Sequence, residues 1–172
     1  MKIVFLDAES LGSDADYSEF EQLGEVIKYP RTSPEEAPER VADADVIVVN
    51  KVPVNENTIA SARNLKLVCV CATGTNNLDK DYLAQRGIEW CNAAGYSTES
   101  VAQHTFAMLF YLMEGLRYYD DYVKEGKYAA SSLFTHFGIP FHELGGVTWG
   151  ILGLGAIGRR VADIAGMFGA KV

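Results

Sequence analysis

An α/β fold on a doubly wound parallel sheet is predicted by two observations. Five short β-branched, apolar runs alternate with helix-like stretches through the first hundred residues, and a further apolar run at 147–152 passes through a glycine-rich turn into an amphipathic helix.

The strand runs are residues 2–7, 25–29, 46–50, 66–72 and 88–92. They are continuous rather than alternating, as strands covered by helices on both faces are. Between them lie helix-like stretches at 17–23, 34–42, 55–62 and 78–85. The second has a start signal: Ser33 as N-cap, Pro34 at the first helical position, and Glu35 and Glu36 in the positively polarised first turn. Gly24 and Gly87 stand where helix C-caps are needed. Five βα repeats with short connections give a flavodoxin-like sheet.

After Gly95 the pattern changes. Ser97 or Thr98 caps one long helix expected to run to about Gly126, with Val101, Phe106, Leu109, Phe110, Leu112, Met113 and Leu116 spread around the cylinder, so it should be covered on several sides. Residues 128–143 read as an irregular, aromatic-rich connection containing His136, Pro140 and His142, and Leu144-Gly145-Gly146 leads into a strand at 147–152.

Composition narrows the function classes. With 15 basic and 23 acidic residues the net charge is -8, which offers no general field for nucleic acid or acidic membranes. An anionic ligand must be held locally, by backbone amides or a few placed cations. The apolar runs are too short to span a bilayer. The N-terminal Met1-Lys2-Ile3-Val4-Phe5-Leu6-Asp7 lacks the long apolar region of a signal peptide, so a cytoplasmic protein is expected. Three cysteines make no even disulfide framework; Cys69 and Cys71 should point to one face of a strand as a buried, reduced pair, without the further ligands a metal needs.

The turn Gly153-Leu154-Gly155-Ala156-Ile157-Gly158 fits G-x-G-x-x-G between a strand and a helix striped by Ile157, Val161, Ile164, Ala165 and Phe168. Gly153 permits the tight turn, Gly155 admits a pyrophosphate against the backbone, and Gly158 lets helix and strand pack closely. The helix N-terminus adds free N–H groups and about half a positive charge. The bland reading is a glycine-rich turn inside an ordinary α/β sheet. Arg159 and Arg160 read chiefly as solvated surface cations.

Three segments then carry a family resemblance: Ala72-Thr73-Gly74-Thr75-Asn76-Asn77-Leu78-Asp79, Ser100-Val101-Ala102-Gln103-His104-Thr105, and residues 143–169. Together they resemble the D-isomer-specific 2-hydroxyacid dehydrogenases over essentially the whole chain, and within them the glycerate dehydrogenases, also called hydroxypyruvate reductases. The resemblance implies a flavodoxin-like substrate domain at 1–96, an interdomain helix at 97–126, a linker at 127–146 and the start of a truncated Rossmann NAD-binding domain at 147–172. It implies hydride transfer between NAD(H) and a small 2-keto or D-2-hydroxy acid, in a homodimeric parent enzyme.

By matching position, Thr73 and Gly74 would offer backbone amides to the substrate carboxylate. Asn50 and Lys51 open onto the same C-terminal edge of the sheet, where open α/β sheets bind ligands; Lys51 adds a cation there or is a solvated loop lysine. Gly153, Gly155, Ala156, Ile157 and Gly158 would hold the cofactor, and Thr105 would approach its nicotinamide side. The resemblance makes His104 a structural residue of the interdomain helix, the ordinary reading being a satisfied buried histidine; His136 and His142 read as surface or domain-contact residues.

The arginine, glutamate and histidine that carry the family's chemistry belong downstream of the glycine loop, so no catalytic residue is assigned here and the chain alone is expected to be inactive. The acid that distinguishes NAD from NADP is expected about 20 residues beyond the loop, past Val172, so NADP stays open. Ile157, Ile164 and Phe168 are expected to lack partner surface, as in a truncated product or one covered by another copy. Three other readings compete: a non-catalytic, dehydrogenase-derived binding or regulatory module; a signalling receiver, opposed by Asn50 where a phosphoacceptor aspartate is required; and flavin binding, opposed by the acidic loop after the first strand.

Overall fold

A computed structural model describes all residues, Met1–Val172. The five apolar runs become β1 (Lys2–Phe5), β2 (Glu25–Lys28), β3 (Val46–Val49), β4 (Leu67–Val70) and β5 (Glu89–Asn92), each shorter than its apolar run. They pair in parallel in the order β2-β1-β3-β4-β5, the flavodoxin-like arrangement. This sheet belongs to the first of two compact units, Met1–Ala94; the second is Gly95–Val172.

Four short helices connect the strands: α1 (Ser18–Glu21), α2 (Ala37–Arg40), α3 (Glu56–Ile59) and α4 (Lys80–Arg86). The capping chemistry expected at Ser33 is present one turn ahead of α2. The Ser33 amide donates to Glu36 Oε2 at 2.9 Å and the Ala37 amide donates to the Ser33 carbonyl at 3.1 Å, so residues 34–36 form a turn and the α-helix proper starts at Ala37. Gly87 ends α4 in the left-handed region at φ 64°, as expected. Gly24 does not cap a helix: a Cβ there would lie 2.0 Å from the Met1 carbonyl oxygen, so glycine is needed where β2 begins against the N-terminus.

One face of the sheet packs Val4, Leu6, Ile47, Val49, Val68 and Val70 against Val41, Ile59 and Leu83. The other centres on Ile3, Phe5, Val46 and Val48, with Tyr17 and Phe20 edge-on to Phe5 at 4.9 and 5.2 Å between ring centroids. Cover on both faces holds for β1 and β3 only. Cys69 and Cys71, on β4 and just beyond it, pack against this second cluster and are half-buried rather than buried.

In the second unit the long helix is broken. It runs as α5 (Thr98–Met113), then α6 (Leu116–Lys124), with α7 (Lys127–Ala130) following. Gly115, at φ 59°, turns the chain between the first two. Within this chain α5 buries Ala102 and Phe106 and leaves Met108, Tyr111 and Leu112 exposed, so its cover is one-sided. Its partner is α8 (Ala156–Met167), which sets Val161 and Ala165 against it. Phe106 stacks on Trp149 and Phe168, at centroid distances of 5.3 and 5.8 Å. Ile157 and Ile164 are therefore half-buried, not stripped of partners, while Phe168 remains partly exposed.

The strand expected at 147–152 is reduced to one parallel bridge, Thr148 with Lys171. The Trp149 amide donates to the Lys171 carbonyl and the Lys171 amide to the Val147 carbonyl, both at 2.8 Å. A strand extends only as far as its neighbour, and the neighbour here pairs through Lys171 alone.

Candidate functional site

Two places in the chain carry backbone donors suited to an anion. The first is the C-terminal edge of the five-stranded sheet. β4 runs through Ala72 into Thr73 and Gly74, both exposed. Asn92 Nδ2 donates to the Thr73 carbonyl at 2.8 Å, and Thr73 Oγ1 donates to the Ala93 carbonyl at 3.3 Å. The Thr73 carbonyl and hydroxyl are thus tied to the end of β5, while the amides of Thr73 and Gly74 donate to no protein acceptor. Unpaired amides held on a fixed loop are what a carboxylate needs.

The neighbouring loop after β3 is built differently. Asn50 is half-buried and Lys51 is exposed, so both reach the edge predicted for them. Their amides, however, are spent: Asp7, at the end of β1, accepts from Asn50 at 2.8 Å, Lys51 at 2.6 Å and Val52 at 3.2 Å. Asn50 Nδ2 donates to Ser10 Oγ at 3.1 Å. Only side chains from this loop can serve a ligand, and Lys51 brings the cation.

Asn77 joins the two loops from below. Its Nδ2 donates to the Val52 carbonyl at 3.0 Å, and its carbonyl accepts from the Val54 amide at 2.8 Å. Asp7 and Asn77 were not among the predicted site residues. Asp7 had a signal, a carboxylate ending the first strand of a parallel sheet beside a loop rich in free amides; Asn77 had none beyond its place in the Thr-Gly-Thr-Asn-Asn segment. Beneath the edge, burial first and the Asp7 carboxylate next push the Cys71 thiol up, keeping it neutral.

The second place is the glycine turn, and the three glycines divide the work as their spacing requires. Gly153 sits at φ 99°, which a side chain would strain. A Cβ on Gly158 would lie 2.1 Å from the Gly153 carbonyl oxygen and 3.4 Å from Ile151 Cγ2, so this glycine lets the helix close on the preceding segment. A Cβ on Gly155 would meet nothing within 4 Å, leaving open space over the backbone where α8 starts. Gly155 is the N-cap, without a side-chain cap and without an acid in the first turn, so the amides of Ala156, Ile157 and Gly158 lie at the positive end of the helix.

Arg159 folds back, Nη1 donating to the Leu154 carbonyl at 2.9 Å, and Arg160 Nε pairs with Glu99 Oε2 at 2.9 Å across α5 and α8. Thr105, half-buried on α5, donates its hydroxyl to the Val101 carbonyl at 2.8 Å. His104 is exposed on α5 and is not a satisfied buried histidine. His136 is half-buried, stacked on Tyr122 with ring centroids 3.8 Å apart and its Nε2 2.7 Å from the Tyr118 hydroxyl. His142 is exposed. No group of three His, Cys, Asp or Glu side chains is placed to hold a metal, and no helix is long and apolar enough to cross a membrane.

Known proteins share the sequence and the fold of this chain over nearly its whole length. The chain is 37% identical over 172 residues to the glycerate dehydrogenase of Methylorubrum extorquens, covering 99% of this chain and 54% of that protein. Its fold matches an acyclic imino acid reductase solved with NADPH and D-Arg, at 26% identity and TM-score 0.80, covering 100% of this chain and 55% of that one. It also matches the D-lactate dehydrogenase of Aquifex aeolicus solved with NAD and lactic acid, at 29% identity and TM-score 0.79, covering 98% and 49%. The chain therefore spans about half the length of its relatives. The family model for the D-isomer specific 2-hydroxyacid dehydrogenase catalytic domain matches residues 3–163, and the chain belongs to that family.

Proposed function

We propose that this chain supplies the substrate-binding sheet and the pyrophosphate turn of an NAD(H)-linked oxidoreductase acting on a small D-2-hydroxy acid, glycerate and hydroxypyruvate first among them. The observation that carries this is the pair of unspent amides at Thr73 and Gly74, fixed by Asn92 and Ala93 at the sheet edge where such folds bind ligands. Thr73 and Gly74 bind the carboxylate; Asn50 orients it and Lys51 adds a charge-assisted contact.

The open backbone at Gly155 and the uncapped start of α8 suit a dinucleotide pyrophosphate. Gly153, Gly155, Ala156, Ile157 and Gly158 would hold it, with Thr105 on the nicotinamide side. NAD(H), or NADP(H) in its place, supplies the hydride when bound. Within the 172 residues no side chain is assigned as proton donor to C2, so binding and orientation are the part of the reaction these residues perform. The reading includes a Rossmann domain entered at residue 147, a homodimer and a cytoplasmic location, the homodimer supported by exposed Phe134 and Phe137 in the connection after α7.

The test is steady-state reduction of hydroxypyruvate with NADH and with NADPH. The protein continued through the family's downstream arginine, glutamate and histidine should turn over, and Gly74→Pro, which deletes one amide donor, should raise KM for the keto acid more than it lowers kcat. Robust turnover by residues 1–172 alone would overturn the placement of the chemistry outside them. An unchanged KM in Gly74→Pro would overturn the carboxylate site.

A further inference from the structure

The sheet face that carries Ile3, Phe5, Val46 and Val48 also carries two thiols in contact. Cys69 on β4 and Cys91 on β5 are register partners. Their Sγ atoms stand 3.7 Å apart, with the Cys91 thiol donating to Cys69. Cys69 is half-buried and Cys91, on the edge strand, is exposed. Adjacent strands lie about 4.8 Å apart, inside the Cα separation that a disulfide bridges, and closing the sulfurs to about 2.05 Å asks for side-chain rotation rather than backbone movement.

We propose that Cys69 and Cys91 are a redox modification site, forming a reversible disulfide between β4 and β5 when the protein meets a hydroperoxide. Cys91, the reachable sulfur, attacks the peroxide: an S–O bond forms, the O–O bond breaks, and the departing oxygen leaves as alcohol or water with the thiol proton. Cys91 is oxidised to a sulfenic acid and the peroxide is reduced. Cys69 then attacks the Cys91 sulfur; the S–S bond forms, the S–O bond breaks, and the hydroxyl leaves as water with the Cys69 proton. A dithiol reductant restores both thiols by exchange.

The surroundings set the order of events. Burial first, and the adjoining Cys91 thiol second, push the Cys69 thiol up to about 12, so Cys69 meets a peroxide as the unreactive protonated thiol and the exposed Cys91 is oxidised first. The later attack of Cys69 is carried by its contact with the Cys91 sulfur and must pass its proton to the departing hydroxyl. Burial also raises the Cys71 thiol, which has no thiol bonded to it. The cross-link lies one residue before Val70 and Asn92, the last residues of β4 and β5, so it would pin the strands that lead to Thr73 and Ala93. The pair itself carries the proposal, which does not depend on the substrate assignment.

The test is hydrogen peroxide treatment of the purified protein, blocking of free thiols, tryptic digestion and mass spectrometry without reduction. A cross-link between peptides 67–80 and 87–117 should appear, vanish with dithiothreitol, be lost in Cys69→Ser and Cys91→Ser, and persist in Cys71→Ser. The proposal is overturned if the pair stays reduced, if Cys91 proceeds to sulfinic acid without a cross-link, or if disulfides join only separate copies. Should the serine variants fail to fold, fragmentation of the wild-type peptide decides, since a bond from Cys91 to Cys71 also overturns it.

Discussion

Asp7 Oδ2 accepts the Lys51 amide at 2.6 Å, so the end of β1 dictates the course of the chain beyond β3. The two strands are neighbours, and the carboxylate that closes one is the acceptor for three successive amides leaving the other. Asn77 fastens the same loop from the β4 side at Val52. The candidate carboxylate edge is therefore assembled by contacts that do not themselves touch a ligand.

Removing that acceptor should loosen the loop. Hydrogen bonds to a charged group contribute about 1.5–3 kcal/mol each, but the freed amides can be hydrated, so Asp7→Ala is expected to lower the unfolding free energy by about 2–3 kcal/mol in urea titrations. Asp7→Asn keeps one acceptor oxygen and should lose less. Amide exchange at residues 50–52 should rise in Asp7→Ala well beyond any rise in β2; equal acceleration everywhere would show that Asp7 does no more than stabilise the sheet.

Gly155 and Gly158 separate binding from packing. An added methyl at Gly158 meets the Gly153 carbonyl oxygen at 2.1 Å, whereas one at Gly155 meets open space. Gly158→Ala should cost about 1–3 kcal/mol, as overpacking does, seen as a lower thermal midpoint. Gly155→Ala should melt like the parent protein and yet weaken NADH binding, measured by nicotinamide fluorescence. Equal melting of the two variants would contradict the packing role given to Gly158.

Much of this was legible beforehand, and the misses have physical causes. Apolar β-branched runs located all five strands, because a strand such as Val46–Val49 is buried on both sides and its sequence says so. Asn50 and Lys51 followed from their place after the third strand, whereas Thr73 and Gly74 came from the family resemblance, with the strand end only making them chemically sensible. The break at Gly115 escaped because one glycine does not distinguish a tolerated helical position from a left-handed turn, and the strand at 147–152 depends on a neighbour the local pattern cannot report. Cys91 was not paired with Cys69 because register across β4 and β5 is a tertiary fact.

Cys69 also predicts an alkaline effect on stability. Its thiol is raised from an ordinary 9.0 to about 12 by burial and by Cys91. In the unfolded chain it ionises first, so above that ordinary value the unfolded state is favoured. The stabilisation is whole below pH 9.0 and is lost as pH rises toward about 12. Wild-type protein under reducing conditions should lose stability over that window more steeply than Cys69→Ala, read as the change in urea midpoint. Parallel pH profiles would contradict a raised Cys69.

The connection after α7 predicts self-association. Phe134 and Phe137 are 87% and 93% exposed, with Leu133 and Phe141 exposed beside them. Burying a large apolar side chain contributes about 1.5–3 kcal/mol, so several together can offset much of the cost of association. An aspartate in the same place would have to be desolvated, which is unfavourable without a partner. The protein should therefore run as a dimer in light scattering at high micromolar concentration, and Phe134→Asp with Phe137→Asp should run as a monomer with an unchanged far-ultraviolet spectrum, because neither side chain belongs to the core between α5 and α8. A monomeric parent, or a double variant that stays dimeric, would place the interface elsewhere.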